Sequence, residues 1–525
     1  MHRCLDIPEI LQHIFQDVDT DDGLRRDLPS LAALARTCRS FSPVALDNLW
    51  GVLVGLDPIL RCMPSDLYSS DEKKLLRAMK VSDWERPLVY MNRIKELSVN
   101  PRRADADLFT SLNASVPAEA EQCFPRLTCL RWRTSVEDDL PSIRFLLSPR
   151  LTTLVISFPS GRTSISFISS IPRLCPGLKE LQFGYWNNSI SDKLAVSDFL
   201  CRLHSLQQVR IDIPDLPTLI HLCRLPNLTS FHGSLPEPFP TQATSSTLSL
   251  SVLKKLSIQN STIEAAIGFF SLCTTPAVQS LEIDIEPSPR VVDIDRLHTA
   301  LKQSCSHTSL SNFVADYSEQ NPPEMPADAY MIPIHTFQLL FCFGNLRSIS
   351  IVSHLGFNLN DEELKAIALA WPRLQSLWLA IGEYAPYQAP GLSLRSLSIL
   401  AQYCVSLNYL KLSFDATSVP EIDSAFNGTH PIPQLALRKL DVDRSLISAP
   451  SIYVARFLSS LFPNLVAIFT ARTFMDNDDP NEPEETMQAI QYHRLWMEVG
   501  VQLPVLNAVR KEERSRVQGV MDTDS

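Results

Sequence analysis

The stretch Leu346-Arg-Ser-Ile-Ser-Ile351, echoed by Leu374-Gln-Ser-Leu-Trp-Leu379 and Leu407-Asn-Tyr-Leu-Lys-Leu412, decides how this chain folds. Each is an apolar-x-x-apolar-x-apolar hexad. Its closing positions alternate with period two, so successive side chains fall on opposite faces of an extended segment. Working outward, the hexad recurs toward the N-terminus at Ile94–Val99, Leu127–Trp132, Leu151–Ile156, Leu178–Phe183, Leu206–Ile211, Leu253–Ile258 and Val278–Ile283, and toward the C-terminus at Leu437–Val442. Weaker copies, each lacking the last apolar residue, begin at Leu228, Leu310 and Leu465. The fourteen copies are 22 to 36 residues apart, about 28.5 on average.

No single copy can bury its own apolar residues, but stacked copies can, each buried Leu contributing about 1.5–3 kcal/mol. The residues between hexads suffice for two turns and a covering helix. Helical stripes at i, i+3, i+4, i+7 fall there: Val196, Phe199, Leu200 and Leu203; Leu364, Ile367, Ala368 and Trp371; Val454, Phe457, Leu458 and Leu461. Asn360 with Glu363 reads as a capping box for the second stripe. The expected fold is therefore α/β: a curved solenoid with parallel strands on its concave face and helices on its convex face. The pattern resembles leucine-rich repeats, without the regular Asn that forms a hydrogen-bonded ladder after each strand.

Ahead of the repeats, residues 5 to about 50 read as three short helices. Asp6 caps the first, Pro8 suits its first turn, and Ile7, Ile10, Leu11, Ile14 and Phe15 form one apolar stripe. Asp17 to Asp27 is polar and reads as a loop. Pro29 opens a second helix with the stripe Leu31, Leu34, Ala35 and Cys38; Ser42–Pro43 opens a third carrying Leu46, Leu49 and Trp50. So small a module is marginal alone, so its surplus apolar residues serve either a partner or the first repeat that it caps. Ile-Pro-Glu-Ile-Leu-x-x-Ile-Phe (Ile7 to Phe15), Leu-Ala-Arg-Thr-Cys-Arg-Ser-Phe (Leu34 to Phe41) and Ala-Leu-Asp-Asn-Leu-Trp (Ala45 to Trp50) resemble an F-box, with Ile7 where Leu is usual and a longer, more acidic loop. The resemblance implies binding to a Skp-family adaptor and, through it, to a cullin-based ubiquitin ligase. It nominates Ile7, Pro8, Ile10, Leu11, Leu34 and Cys38 as the adaptor-binding residues.

The domain reading is then residues 1–52 as an F-box-like helical module, 53–92 as a partly helical connecting segment, 93–475 as the solenoid, and 476–525 as an acidic linker, a capping helix and a disordered tail. Leu235–Ser249 and Tyr317–Pro333 are Pro-rich insertions, read as excursions on the solenoid's edge. Thr486 to Val499 is expected to close the last repeat with Ile490 and Trp496, and disorder is expected from about Lys511.

Composition narrows the function. A net charge of −11, with 47 basic against 58 acidic residues, argues against nucleic acid as the main partner. The first apolar stretch is interrupted by Asp6 and Glu9, and no apolar run approaches bilayer length, so neither a secretory signal nor a membrane span is expected. The protein is expected in the cytoplasm, the nucleus or both. Twelve cysteines are scattered without a Cys-x-x-Cys pair and read as small buried hydrophobes in a reducing compartment. Nucleophile elbows, phosphate loops, dinucleotide fingerprints and paired-His metal motifs are missing from the sequence, so no catalytic residue, metal or cofactor is nominated and an enzyme is not expected.

Recognition of a protein target is therefore assigned to outward positions on the strands. Arg131 and Arg133 are a candidate pair for a phosphate, and Trp378 and Tyr409 a candidate aromatic anchor, beside Lys411. The aromatic pair can alternatively pack on the insertion from Glu383 to Gly391. Two functions fit: a substrate-recognition subunit of a ligase, or an interaction scaffold without ubiquitination.

Overall fold

Helix and strand follow from where the apolar residues land. The computed structural model describes residues 7–16, 18, 27–69, 74–100, 111–112, 114–115, 123–134, 143–157, 166–184, 190–239, 248–318, 329–382, 390–420, 433–448, 450–471 and 484–521. The chain divides into two units, Met1–Phe231 and His232–Ser525.

The first unit opens with three helices, α1 (Pro8–Gln16), α2 (Leu28–Ala35) and α3 (Phe41–Gly51). Asp6 lies outside the described residues. Asp27, assigned from sequence to the loop, instead caps α2: its carboxylate accepts from the Ser30 amide at 3.1 Å. The third helix begins before the expected Ser42–Pro43 pair. Its most buried residues include Val44, Ala45 and Asn48; of the expected stripe, Leu49 packs half-buried against the same core. Trp50 turns away from this core and stacks on Tyr90, with ring centroids 4.6 Å apart. Arg93 bonds Asp47, and also reaches the Pro43 carbonyl at 3.1 Å, so α3 is anchored to the residues leading into the first hexad.

The strands begin earlier than the hexad count, because α3 runs directly into β1 (Val52–Val54), which pairs in parallel with β2 (Glu96–Val99). Then come β3 (Cys129–Arg133), β4 (Thr153–Ser157), β5 (Glu180–Gly184) and β6 (Gln208–Arg210), each parallel to its predecessor. Strand β7 (Ser230–Gly233) spans the boundary between the units. In the second unit β8 (Lys255–Ser261), β9 (Ser280–Ile285), β10 (Asn312–Tyr317), β11 (Ser348–Ser353), β12 (Ser376–Ile381), β13 (Tyr409–Lys411), β14 (Lys439–Asp441) and β15 (Ala467–Phe469) follow in the same parallel order. Register aligns the hexads. In the second unit Leu256, Leu281, Phe313, Ile349, Leu377, Leu410, Leu440 and Ile468 form one buried row across eight strands. Even the weak copy at Leu310 is in line, with Ala315 buried between Ile283 and Ile351. This is a leucine-rich-repeat-like solenoid, strand and covering helix repeated.

The missing Asn ladder has a replacement. The carbonyl just before most of these strands accepts two amides from the next coil. Gln279 accepts from Ser311 and Asn312 (2.9 and 3.0 Å), and Arg347 from Gln375 and Ser376 (2.7 and 3.0 Å). Lys95, Thr128 and Thr152 do the same in the first unit. Side-chain hydroxyls of Thr128, Thr152 and Ser311 add a third bond to the preceding carbonyl. Buried backbone groups are thus satisfied without a dedicated side chain.

The expected stripes are helices: α4 (Ile190–Cys201), α5 (Asp361–Ala370) and α6 (Ile452–Leu461). The α5 capping box is present, with Asn360 and Glu363 each accepting the other's amide at 3.0 and 2.9 Å. Parts of the expected insertions pair as well: Leu248–Ser249 with Cys273–Thr274, and Ile332–Pro333 with Phe357–Asn358. Residues 240–247 and 319–328 of those insertions, 19–26 of the N-terminal loop and 472–483 of the acidic linker lie outside the described residues. The closing helix α7 (Glu484–Met521) buries Trp496, Val499 and Leu503 and leaves Ile490 half-buried. The disorder expected from Lys511 is not seen, since α7 continues to Met521. Lys511 to Arg516 is rich in strong helix formers, and Gly519 is the first strongly unfavourable residue after Pro504. Among the described residues no helix is long and apolar enough to cross a membrane.

Candidate functional site

The amphipathic stripe read along α1 separates into two faces. Leu11 and Phe15, four apart, point inward and form a core with Leu31, Val44 and Ala45. Ile7, Ile10 and Ile14 are 43%, 37% and 45% exposed. Spaced by three and four residues, they share one face of the helix and its lead-in turn, about a quarter-turn from the buried Leu11 and Phe15. Of the six nominated adaptor-binding residues, Ile7, Pro8 and Ile10 are therefore at the surface. Leu34 is half-buried against the core, and Cys38 is half-buried beyond the end of α2. Leu11 is core. Ile14, which the sequence reading did not nominate, belongs to the surface set.

The second candidate site lies on β12–β14. Register places Lys411 level with Trp378 on one side and Asp441 on the other. Tyr409 is level with Ser376, so it sits diagonally from Trp378 instead of directly beside it. The two rings still meet, with centroids 5.8 Å apart and planes at 38°. The Lys411 ammonium stands 4.8 Å from the Trp378 ring centroid, 3.3 Å from Asp441 and 3.5 Å from Asp443. Asp443 adopts φ +47°, a left-handed conformation that Asp tolerates better than most residues. Its amide donates to Asp441 at 2.9 Å, and Ser413 donates to its other oxygen at 2.8 Å. One cation is thus held by two buried carboxylates. Burial, reinforced by Asp441 and Asp443, pushes the Tyr409 hydroxyl up to about 12. Among the described residues the Trp378 indole N–H is buried without an acceptor.

The consequence for recognition is specific. Lys411 is consumed internally and is not a free cation for a target. Trp378 and Tyr409 are half-buried beside two carboxylates and one ammonium, a cluster of net negative charge. Residues 383–389 of the insertion considered as their alternative packing partner lie outside the described residues.

Arg131 and Arg133 belong to the first unit, and the Trp378 cluster belongs to the second. Arg131 bonds Glu96 at 3.1 Å, which leaves Arg133 as the exposed member of the pair. Burial pushes the thiols of Cys175 and Cys404 up to about 12, so neither is a nucleophile near neutral pH. Among the described residues no group of three or more His, Cys, Asp or Glu could hold a metal ion.

No family model matches the chain, and no curated protein matches it. Among solved structures it is similar to the crystal structure of the Rad7 and Elc1 complex in yeast, at 14% identity and TM-score 0.33, covering 74% of this chain and 92% of that one. It is also similar to an internalin from Listeria monocytogenes, at 12% identity and TM-score 0.31, covering 76% and 96%. Both scores are low, and the fold assignment rests on the strand ladder itself.

Proposed function

We propose that the chain is a non-enzymatic substrate-recognition adaptor of a cullin-type ubiquitin ligase. The helical module docks a Skp-family adaptor, and the solenoid holds a protein target. The single observation that supports this most is the outer face of α1. Ile7, Ile10 and Ile14 stay exposed on a module whose core is already filled by Leu11, Phe15, Leu31, Val44 and Ala45. Leaving three isoleucines in water is unfavourable, and the F-box-like residues that carry them name the partner that would cover them. The contribution to ubiquitin transfer is positioning: a bound target is held at high effective concentration near the transfer machinery. On the strand face, Trp378 and Tyr409 anchor the target, and the negative cluster beneath them selects a basic residue there. Such a protein works in the cytoplasm, the nucleus or both.

The test is reconstitution. Full-length protein is mixed with a recombinant Skp-family adaptor and a cullin and resolved by size-exclusion chromatography. A ternary peak is expected. Binding of the adaptor with exclusion of the cullin favours the interaction scaffold, and failure to bind the adaptor removes the reading altogether.

A further inference from the structure

The second unit carries a polar groove along the leading edge of its strands, about 650 Å³ in volume. It is built from the residues just before β9 to β13, five successive coils. Gln279, Ser311, Asn345, Arg347, Arg373 and Asn408 are among its lining, and no acidic residue is. For a chain of net charge −11 that is a local inversion of sign.

Both guanidiniums are exposed, and neither has a carboxylate partner among the described residues. Arg373 donates to Asn345 Oδ1 at 3.1 Å, while Asn345 Nδ2 donates to the Thr308 carbonyl at 2.9 Å. That chain of bonds fixes the Arg373 fork from two coils away and leaves donors on its other edge for a ligand. Among the described residues Arg347 makes no side-chain bond, so its fork has no partner there. Five coils at the ~4.8 Å strand spacing span roughly 19 Å. An extended segment of about six residues covers that length.

We propose that this groove binds an extended protein segment bearing a phosphorylated serine or threonine, whose phosphate is clamped between Arg347 and Arg373. A phosphate monoester carries about −1.5 to −2 charges at neutral pH and matches two guanidinium forks, whereas one carboxylate satisfies only one. Gln279, Gln375 and Asn408 have side-chain amides that spend no bond among the described residues, and they suit the backbone of such a segment. A nucleic acid is disfavoured, because two arginines supply few phosphate contacts and the rest of the chain is acidic. The site is distinct from the Trp378 cluster, and the inference stands whether or not α1 docks an adaptor.

The experiment uses the full chain alone. Fluorescein-labelled heptapeptide pools, degenerate except for a central phosphoserine, serine or glutamate, are titrated by anisotropy. The phosphoserine pool is expected to bind at least about tenfold more tightly than the serine pool, with glutamate between them. Arg347→Gln and Arg373→Gln should each remove that preference, and Arg438→Gln, at the same edge but outside the groove, should leave it intact. Arg373→Lys, which keeps the charge without the fork, should retain part of it and guards against a folding artefact. Equal binding of phosphoserine and serine pools overturns the proposal. So does a phosphate preference that survives both glutamine substitutions, or displacement by a single-stranded oligonucleotide at lower concentration than inorganic phosphate needs.

Discussion

The indole N–H of Trp496 donates to the backbone carbonyl of Ser445 at 3.0 Å, across 51 residues of sequence. The same ring meets Phe414 edge-on, with centroids 5.7 Å apart. Helix α7 is thereby fastened over the last coils, where a repeat has no successor to cover its apolar residues. Ser459 and Ser451 extend the attachment through Asn507 and Glu498, at 2.7 and 2.8 Å.

Trp496→Ala should cost about 3–5 kcal/mol, as expected for truncating a buried aromatic ring. Trp496→Phe keeps most of the packing and loses only the hydrogen bond, so it should cost about 1 kcal/mol. Because stability in a solenoid is local, hydrogen exchange should accelerate in β14 and β15 and remain unchanged in β2 to β4. Uniform acceleration along the chain would show that α7 is not a local cap.

His298 is buried with both ring nitrogens engaged: Nδ1 with the Thr336 carbonyl at 3.0 Å and Nε2 with the Tyr317 hydroxyl at 3.1 Å. The carbonyl can only accept, so Nδ1 carries the proton and Nε2 accepts from Tyr317. Burial holds the His298 pKa down to about 4, against weaker upward pulls from Thr336 and Asp295, and pushes the Tyr317 hydroxyl up. Between the unfolded value of 6.5 and about 4, the unfolded chain takes up a proton that the folded chain refuses. Stability is therefore full above pH 6.5 and falls as pH drops through that window, by a few kcal/mol in total. Urea denaturation across this range should show a shallower acid slope in His298→Gln than in the native chain. Parallel slopes would place the acid sensitivity elsewhere.

Lys411 and its two carboxylates make a sharper test of the strand-face cluster. Lys411→Met leaves Asp441 and Asp443 buried without their cation, and a loss of about 3–5 kcal/mol is expected. Asp443→Asn is milder because asparagine tolerates the left-handed backbone at this position. It also removes one of the charges that hold the Tyr409 hydroxyl near 12. Ultraviolet titration should show the Tyr409 midpoint lower in Asp443→Asn than in the native chain, with Tyr409→Phe identifying the transition. An unmoved midpoint would leave burial and Asp441 as its causes.

The repeat ladder was legible in the sequence because its cause is local and periodic: each hexad carries its own alternation, and Leu256 to Ile468 need only equivalent positions to line up. The α5 capping box was legible for the same reason. Features set by tertiary partners were not. The sequence assigned Ile7, Ile10, Leu11, Ile14 and Phe15 to one stripe, and only packing against Leu31 and Val44 separates Leu11 and Phe15 from the rest. Strand β1 is three residues long and carries no hexad, so it takes the neighbour β2 to reveal it. Trp378 and Tyr409 were paired from hexad positions that differ by two, and the register makes them diagonal. Arg347 and Arg373 gave no signal at all, because isolated arginines 26 residues apart come to line one groove only when the coils stack.

The separation within α1 yields the decisive prediction for the helical module. Substitutions on its outer face should change binding without changing folding, whereas a substitution on its inner face should change both. Ile10→Asp with Ile14→Asp places charges where the side chains already meet water, so the melting of the full chain should shift little. Capture of a Skp-family adaptor should fall by at least about tenfold, since two apolar anchors are replaced by desolvated charges. Leu11→Asp instead buries a carboxylate in the core with Phe15 and Leu31, and should unfold the module and raise the protease sensitivity of residues 7–51. If the outer-face pair lowers stability as much as Leu11→Asp does, those isoleucines are covered within the chain, and the module is a cap for the first repeat, not a docking face.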